Sequence, residues 1–126
     1  MALRRLMVSH SIEDLKATAH YQRKLIDVAV ALVRKGGTLV YSTCTINPLE
    51  NEYNVRYVLD KYPQMSLVKS KYHLGQSGLC GKYSIGEKTY QFLNSEEAEL
   101  VQRYDPGLNS GTDTMGFFIA KFQKNL

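Results

Sequence analysis

GGTLVYSTCTINPLENE, residues 36–52, decides how the chain is read. Two glycines stop whatever precedes them, a short apolar run follows, and Cys44 stands where that run ends. Thr38 to Thr43, TLVYST, is β-branched and aromatic without strict alternation, which fits a strand covered on both faces in a parallel sheet. Asn47, Pro48 and Glu50 then have the spacing of a helix start: an N-cap, a proline at the first helical position and a carboxylate three residues after the cap. Ligands bind at the carboxyl ends of strands in open α/β sheets, and Cys44 occupies such an end. A thiol there is either a nucleophile whose thiolate the following helix dipole favours, or a small apolar group that fills space.

Working outward, residues 11–35 have the pattern of a helix that opens at Ser11, with Asp14 three residues on, and stops at Gly36-Gly37. Leu25, Ala29 and Leu32, with Ile26, Val30 and Val33, form two adjacent rows that predict one apolar stripe facing a core. After Asn47, the residues Val55, Val58, Leu59 and Tyr62 recur at helical spacing until Pro63. Met65 to Lys69 predicts a strand, and residues 70–93, with four glycines, a long functional loop. Asn94 and Glu97 make a capping-box pattern for a helix to about Tyr104, Asp105-Pro106-Gly107 a turn, and residues 116–123, GFFIAKFQ, a final strand. The layout is α/β with about three strands.

The 126 residues fit one domain. Their apolar runs are far short of the roughly 20 residues a membrane-spanning helix needs, so no membrane association is expected. The N-terminus, interrupted by Arg4, Arg5 and His10, does not read as a secretory signal, and the expected location is intracellular, in the cytoplasm rather than the nucleus. Cys44 and Cys80 form no CxxC pair, and His73 with Cys80 has no further ligand at zinc spacing, so neither a disulfide framework nor a metal site is expected. The formal charge of +4 is concentrated at one end: residues 1–35 hold seven basic and three acidic side chains, whereas the remainder is balanced. A basic segment serves either phosphate binding or solvation of a helix face. Two cysteine chemistries lack support. A phosphatase cradle needs arginine six residues after the cysteine, where Glu50 stands, and His10, His20 and His73 lie in no protease signature.

Residues 22–52, QRKLIDVAVALVRKGGTLVYSTCTINPLENE, resemble the RNA cytosine-5 methyltransferases of the NOL1/NOP2/Sun-domain (RsmB-like) family, where a Gln-Arg-x-Leu helix leads through Gly-Gly to Tyr-Ser-Thr-Cys and Glu-Asn-Glu. Residues 102–122, QRYDPGLNSGTDTMGFFIAKF, are similar to the family's closing segment, with wording nearest to its sixth, tRNA-modifying member. The resemblance implies that Cys44 is the nucleophile, adding to C6 of an unstacked cytosine so that C5 takes a methyl group from S-adenosylmethionine. It implies RNA, in particular tRNA, as partner. Beside it, Ser42, Thr43 and Thr45 are read either as shaping the substrate pocket or as strand-end hydroxyls that bond nearby backbone, and Arg23 either as reaching phosphate or as a solvated helix arginine.

Members of that family carry a glycine-containing cofactor loop, an acidic residue for the cofactor ribose and an Asp-x-Pro-Cys motif upstream of the matched segment; none is in these 126 residues. Cys80 follows Cys44 and is read as structural or incidental, not as the second family cysteine. Residues 1–126 are thus expected to be a single partial domain, the C-terminal portion of a Rossmann-like class I methyltransferase fold without its N-terminal strands. Such a chain is expected to be inactive alone, to lack a cofactor site, and to self-associate through an exposed sheet edge. The reading from a different class is a non-catalytic RNA-binding module. The resemblance further implies that the last strand is the antiparallel one that the family's sheets insert near their end.

Overall fold

The computed structural model describes residues 12–105 and 116–126. The elements in chain order are α1 (Ile12–Leu32), β1 (Thr38–Thr43), α2 (Glu52–Lys61), β2 (Met65–Val68), β3 (Lys82–Ile85), β4 (Lys88–Gln91), α3 (Ser95–Leu100), β5 (Gln102–Tyr104) and β6 (Phe117–Lys124). The expected helix start at Ser11 and the turn at Pro106-Gly107 lie outside the described residues.

β6 is the spine of the main sheet. It pairs antiparallel with β1 along Thr38–Thr43, and on its other side with β2 and β5. β1, β2 and β5 therefore all run in one direction, with β6 inserted between them, which is the arrangement expected of the last strand. Phe118, Ala120 and Phe122 alternate on β6 and are buried. They pack with Ile26 and Val30 of α1, Val55 and Val58 of α2, and Met65, Leu93, Ala98 and Val101. A second cluster joins Leu15 and Ala19 to Leu49, Tyr90 and Phe92. Among the described residues no helix is long and apolar enough to cross a membrane.

Several expectations change. β1 is not covered on both faces: its residues alternate between exposed and half-buried, Val40 is 56% exposed, and its one partner is antiparallel. β6 covers one edge only, so the other edge of β1 is open among the described residues. Of the two apolar rows on α1, Ile26 and Val30 reach the core, but Leu25 (55%) and Leu32 (79%) are exposed along with Tyr21 and Val28. The sheet beneath α1 is narrower than the helix's apolar face.

Residues 70–93 are not one loop. They contain the hairpin β3–β4, whose two-residue turn places Gly86 at φ +67°, a conformation that costs glycine little because it has no Cβ. The capping box at Asn94 and Glu97 forms as expected, but α3 ends at Leu100 and residues 102–104 extend as β5 against β6. The described chain thus has six strands rather than three.

α1 ends at Leu32, and its last turn carries no basic residue. Lys124 supplies the missing cation from β6, donating through Nζ to the Val30 and Val33 carbonyls at 2.9 Å each. The helix C-terminus is thereby tied to the end of the sheet.

Candidate active site

Cys44 follows the last residue of β1 and is exposed. The reading in which it is a buried space-filler does not hold. Its neighbours are the buried ones: Ile46 to Glu52 are all buried. The segment from 44 to 51 is neither strand nor helix, so its backbone groups must be satisfied one by one.

That is the work of the residues read above as a helix start. Asn47 does not cap a helix directly; α2 begins at Glu52, after a turn. Asn47 instead accepts the Leu49 N–H on Oδ1 (3.1 Å) and donates from Nδ2 to Glu50 Oε2 (3.2 Å). Pro48 accepts the Tyr53 N–H through its carbonyl. Asn51 donates to the Thr45 carbonyl (2.9 Å) and accepts the Thr43 hydroxyl (2.5 Å), which clips together the two sides of Cys44. The Thr45 hydroxyl accepts the Asn47 N–H.

Glu50 and Glu52 extend the clamp in two directions. Glu50 accepts from Gln22 of α1 at 2.7 Å. The Gln22 carbonyl oxygen accepts from Asn54, and the single proton of the Tyr41 hydroxyl goes to the Glu50 carbonyl at 2.5 Å, with the Gln22 oxygen a longer second acceptor at 3.3 Å. Burial, with Glu50 adding to it, pushes the Tyr41 phenol up to about 12. Glu52 is fully buried and receives Arg103 of β5 in a two-pronged ion pair, Nη2 to Oε1 at 2.7 Å and Nε to Oε2 at 2.9 Å. Arg103 Nη1 donates to the Ile46 carbonyl, and the Leu79 N–H donates to Glu52 Oε2. Gly78 makes that approach feasible, since a Cβ there would lie 2.6 Å from a Val101 methyl and 3.4 Å from Glu52 Oε2.

The expected site residues divide accordingly. Ser42 is exposed beside Cys44. Thr43 and Thr45 have their hydroxyls engaged within the loop. Arg23 donates to Asn54 Oδ1 (3.2 Å) and lies over the Tyr53 and Tyr57 rings. Cys80 is exposed, and its one regular backbone pairing is a bridge to Leu93. Sequence reasoning missed Glu52 and Arg103, because two opposite charges 51 residues apart carry no local signal.

The family profile described as 16S rRNA methyltransferase RsmB/F matches residues 3–123. The chain belongs to this RsmB/F methyltransferase family. It is 50% identical over 113 residues to the rRNA (cytosine-C(5))-methyltransferase NOP2C of Arabidopsis thaliana, covering 89% of this chain and 18% of that protein. It is 37% identical to the tRNA (cytosine(72)-C(5))-methyltransferase of Pyrococcus horikoshii, covering 95% of this chain and 25% of that one. Among solved structures it is similar to a methyltransferase homolog from Pyrococcus horikoshii, with a TM-score of 0.72 and 31% identity over 93% of this chain and 34% of that one. NSun6 from the same organism, solved with SFG, gives a TM-score of 0.66 at 36% identity, over 91% of this chain and 24% of the other. The chain thus spans between 18% and 34% of the length of these relatives and is a partial Rossmann-like methyltransferase fold.

S-adenosylmethionine does not fit the described residues beside Cys44. Glu50 and Glu52 are bonded to protein partners, and Gly36 and Gly37 sit at the opposite end of β1, where they pair with Lys124. Among the described residues, the carboxylates of Glu50 and Glu52 are thus engaged rather than free for ribose hydroxyls.

Two expectations test the clamp. Glu52→Gln leaves the Arg103 charge buried without its counter-ion and should cost about 3–5 kcal/mol in urea unfolding, with Arg103→Met recovering part of the loss in the double variant. A folded-state phenol at about 12 against an ordinary 10 means that Tyr41 favours folding while neutral. The stability advantage of the wild type over Tyr41→Phe should be complete below pH 10 and shrink as the pH rises toward 12, read as the difference in unfolding free energy.

Proposed function

We propose that this chain is the C-terminal part of an RNA cytosine-C5 methyltransferase domain and that Cys44 is its nucleophile. One observation carries the reading: an exposed thiol on a loop whose following seven residues contribute six buried ones, held by side chains from α1, β1, α2 and β5. A thiol that only filled space would be buried, and a rigid loop that only linked β1 to α2 would need no such scaffold.

The chemistry follows from the substrate. C5 of a neutral cytosine is a weak nucleophile. Addition of the Cys44 thiolate to C6 of an unstacked cytosine raises electron density at C5, which then takes the methyl group; loss of the C5 proton and departure of the thiolate restore the ring. S-adenosylmethionine supplies the electrophilic methyl in the complete enzyme, from a site outside the described residues. Here Ser42 is the hydroxyl free to meet substrate, while Thr43 and Thr45 act by holding the Cys44 loop. Arg23 serves a phosphate. The substrate is RNA. The closing segment's wording favours tRNA, and the name of the Arabidopsis thaliana relative supports rRNA as the second reading.

The open edge of β1 and the apolar face of α1 are where the rest of the methyltransferase domain packs. A groove of about 280 Å³ between them is lined by Leu25, Ala29, Val40 and Val55 among others, in keeping with buried rather than solvent-facing surfaces. Left open, this edge pairs with a second copy.

Two measurements check these proposals. With the remainder of the domain supplied, Cys44→Ala should lose methyl transfer to RNA by at least about a thousandfold, because no other group takes over covalent catalysis. Retained activity would remove Cys44 from the mechanism. Sedimentation of the isolated chain should show self-association that Val40→Lys reduces, since a lysine on an edge strand opposes further pairing; an unchanged mass distribution would argue against the edge.

A further inference from the structure

A second cleft, of about 320 Å³, opens between the N-terminal half of α1, the start of α2 and the hairpin β3–β4. Its lining brings together three cationic side chains from distant parts of the chain, Lys16 and Arg23 of α1 and Lys88 of β4, with His20 of α1 beside them. No aspartate or glutamate is among its lining residues. Among the described residues, the ion pairs involve Arg56, Lys61 and Arg103, so Lys16, Arg23 and Lys88 have no carboxylate partner there.

The floor is aromatic and apolar. Tyr53 and Tyr90 meet edge to face at 4.9 Å, with Leu49 and Ala19 beside them. Arg23 lies 5.2 Å from the Tyr53 ring centre and Lys88 5.3 Å from that of Tyr90, so the cations stand over the rings rather than pointing away. Cations without carboxylate partners, two of them over aromatic rings and Lys16 beside them, form a site for a polyanion that also presents flat or apolar surface.

The cleft shares a wall with the Cys44 clamp. Leu49 and Tyr53 belong to the segment that carries Glu50, Asn51 and Glu52, and Arg23 is bonded to Asn54 of the Gln22–Tyr41 network. α1 runs from this cleft toward the start of β1, so the cleft lies at the Cys44 end of that strand.

We propose that this cleft binds the backbone of single-stranded RNA, with Lys16, Arg23 and Lys88 on phosphate and the Leu49–Tyr53 floor under the sugar or base of the same nucleotide. The proposal rests on the RNA-directed reading above and deepens it, by assigning a place where the strand is held beside the nucleophile. An acidic peptide would satisfy the cations but would leave the aromatic floor unused.

The test is fluorescence anisotropy of a labelled single-stranded RNA 12-mer with the full chain, from 50 to 300 mM KCl and without any methyl donor. Lys16→Gln with Lys88→Gln should weaken binding about tenfold or more at the lowest salt and flatten the slope of log K against log salt by roughly 0.7 per contact removed. The same charge change at Lys69 and Lys71, outside the cleft, should leave affinity within about twofold. Matching unfolding midpoints would establish that both double variants are folded. The proposal is overturned if the chain fails to bind the RNA at 50 mM KCl, if the two double variants lose affinity equally, or if the cleft variant binds like the wild type. Displacement of the RNA by polyglutamate as readily as by unlabelled RNA would also overturn it, marking instead a surface for acidic protein. No methyl transfer enters this measurement, so its failure leaves the role of Cys44 standing, and an active Cys44→Ala enzyme would leave the cleft standing.

Discussion

The buried pair of Glu52 and Arg103 is the constraint on which the rest of the site depends. Taking both charges out of water costs several kcal/mol per ion, which is recovered only where geometry is good and the remaining donors and acceptors are met. Here the guanidinium and carboxylate meet on two parallel bonds, a third guanidinium nitrogen takes the Ile46 carbonyl, and a backbone N–H from Leu79 completes the carboxylate. A pair of apolar residues could fill the same volume, but could not hold those two backbone groups in place. One ion pair therefore fixes the first residue of α2, the strand β5, the 76–80 segment and the loop after β1 relative to one another. The charge is retained because the loops around it need directional partners.

The other half of the clamp works by the same rule, with amides and a phenol gathered around a single carboxylate. Gln22, Tyr41 and Asn54 come from three elements and Glu50 from the loop between two of them, and their bonds close on each other. Cys44 is left as the exposed member of a segment that is otherwise anchored. The covalent role proposed for Cys44 calls for both properties at once, since the thiol must be reachable and its backbone must not yield when a ring is pressed against it.

Much of this was legible in the sequence, and the failures have physical causes. α1, β1, α2, β2 and β6 were visible because their apolar spacing, glycine stops and Pro63 act locally. The sequence puts the start of α2 at Asn47, four residues ahead of its Asn51 N-cap, because Asn47, Pro48 and Glu50 have the chemistry of a helix cap; the turn they build uses that chemistry on loop atoms instead. The hairpin was hidden because KYSIGEKTYQ is polar on its exposed face and reads as loop, although Gly86 at its centre was the clue. β5 was folded into the preceding helix because three residues are too few to show a period. For the candidate site, Cys44 was found from its strand-end position and its motif, whereas Arg103 could be found only once β5 had been laid against β6.

The misreading of β1 is the most instructive. Leu39, Val40 and Tyr41 have the run of apolar residues that strands acquire when both faces and both edges are covered, yet Val40 faces solvent and one edge has no partner among the described residues. The outer row of α1, Tyr21, Leu25, Val28 and Leu32, has the same character. These two surfaces adjoin through the groove that Leu25, Ala29 and Val40 line. A sequence carries such residues when something covers them, because exposed apolar area of this extent on a sheet edge promotes association. The pattern thus describes an environment larger than the described residues supply. The chain's coverage of only 18% to 34% of these relatives gives that environment a natural source. On this view the core and the Cys44 clamp are complete within the chain, while the face beside β1 is half of an interface. The exposed thiol of Cys44 thus belongs to the complete part, and the apolar surface beside β1 to the part that needs a partner.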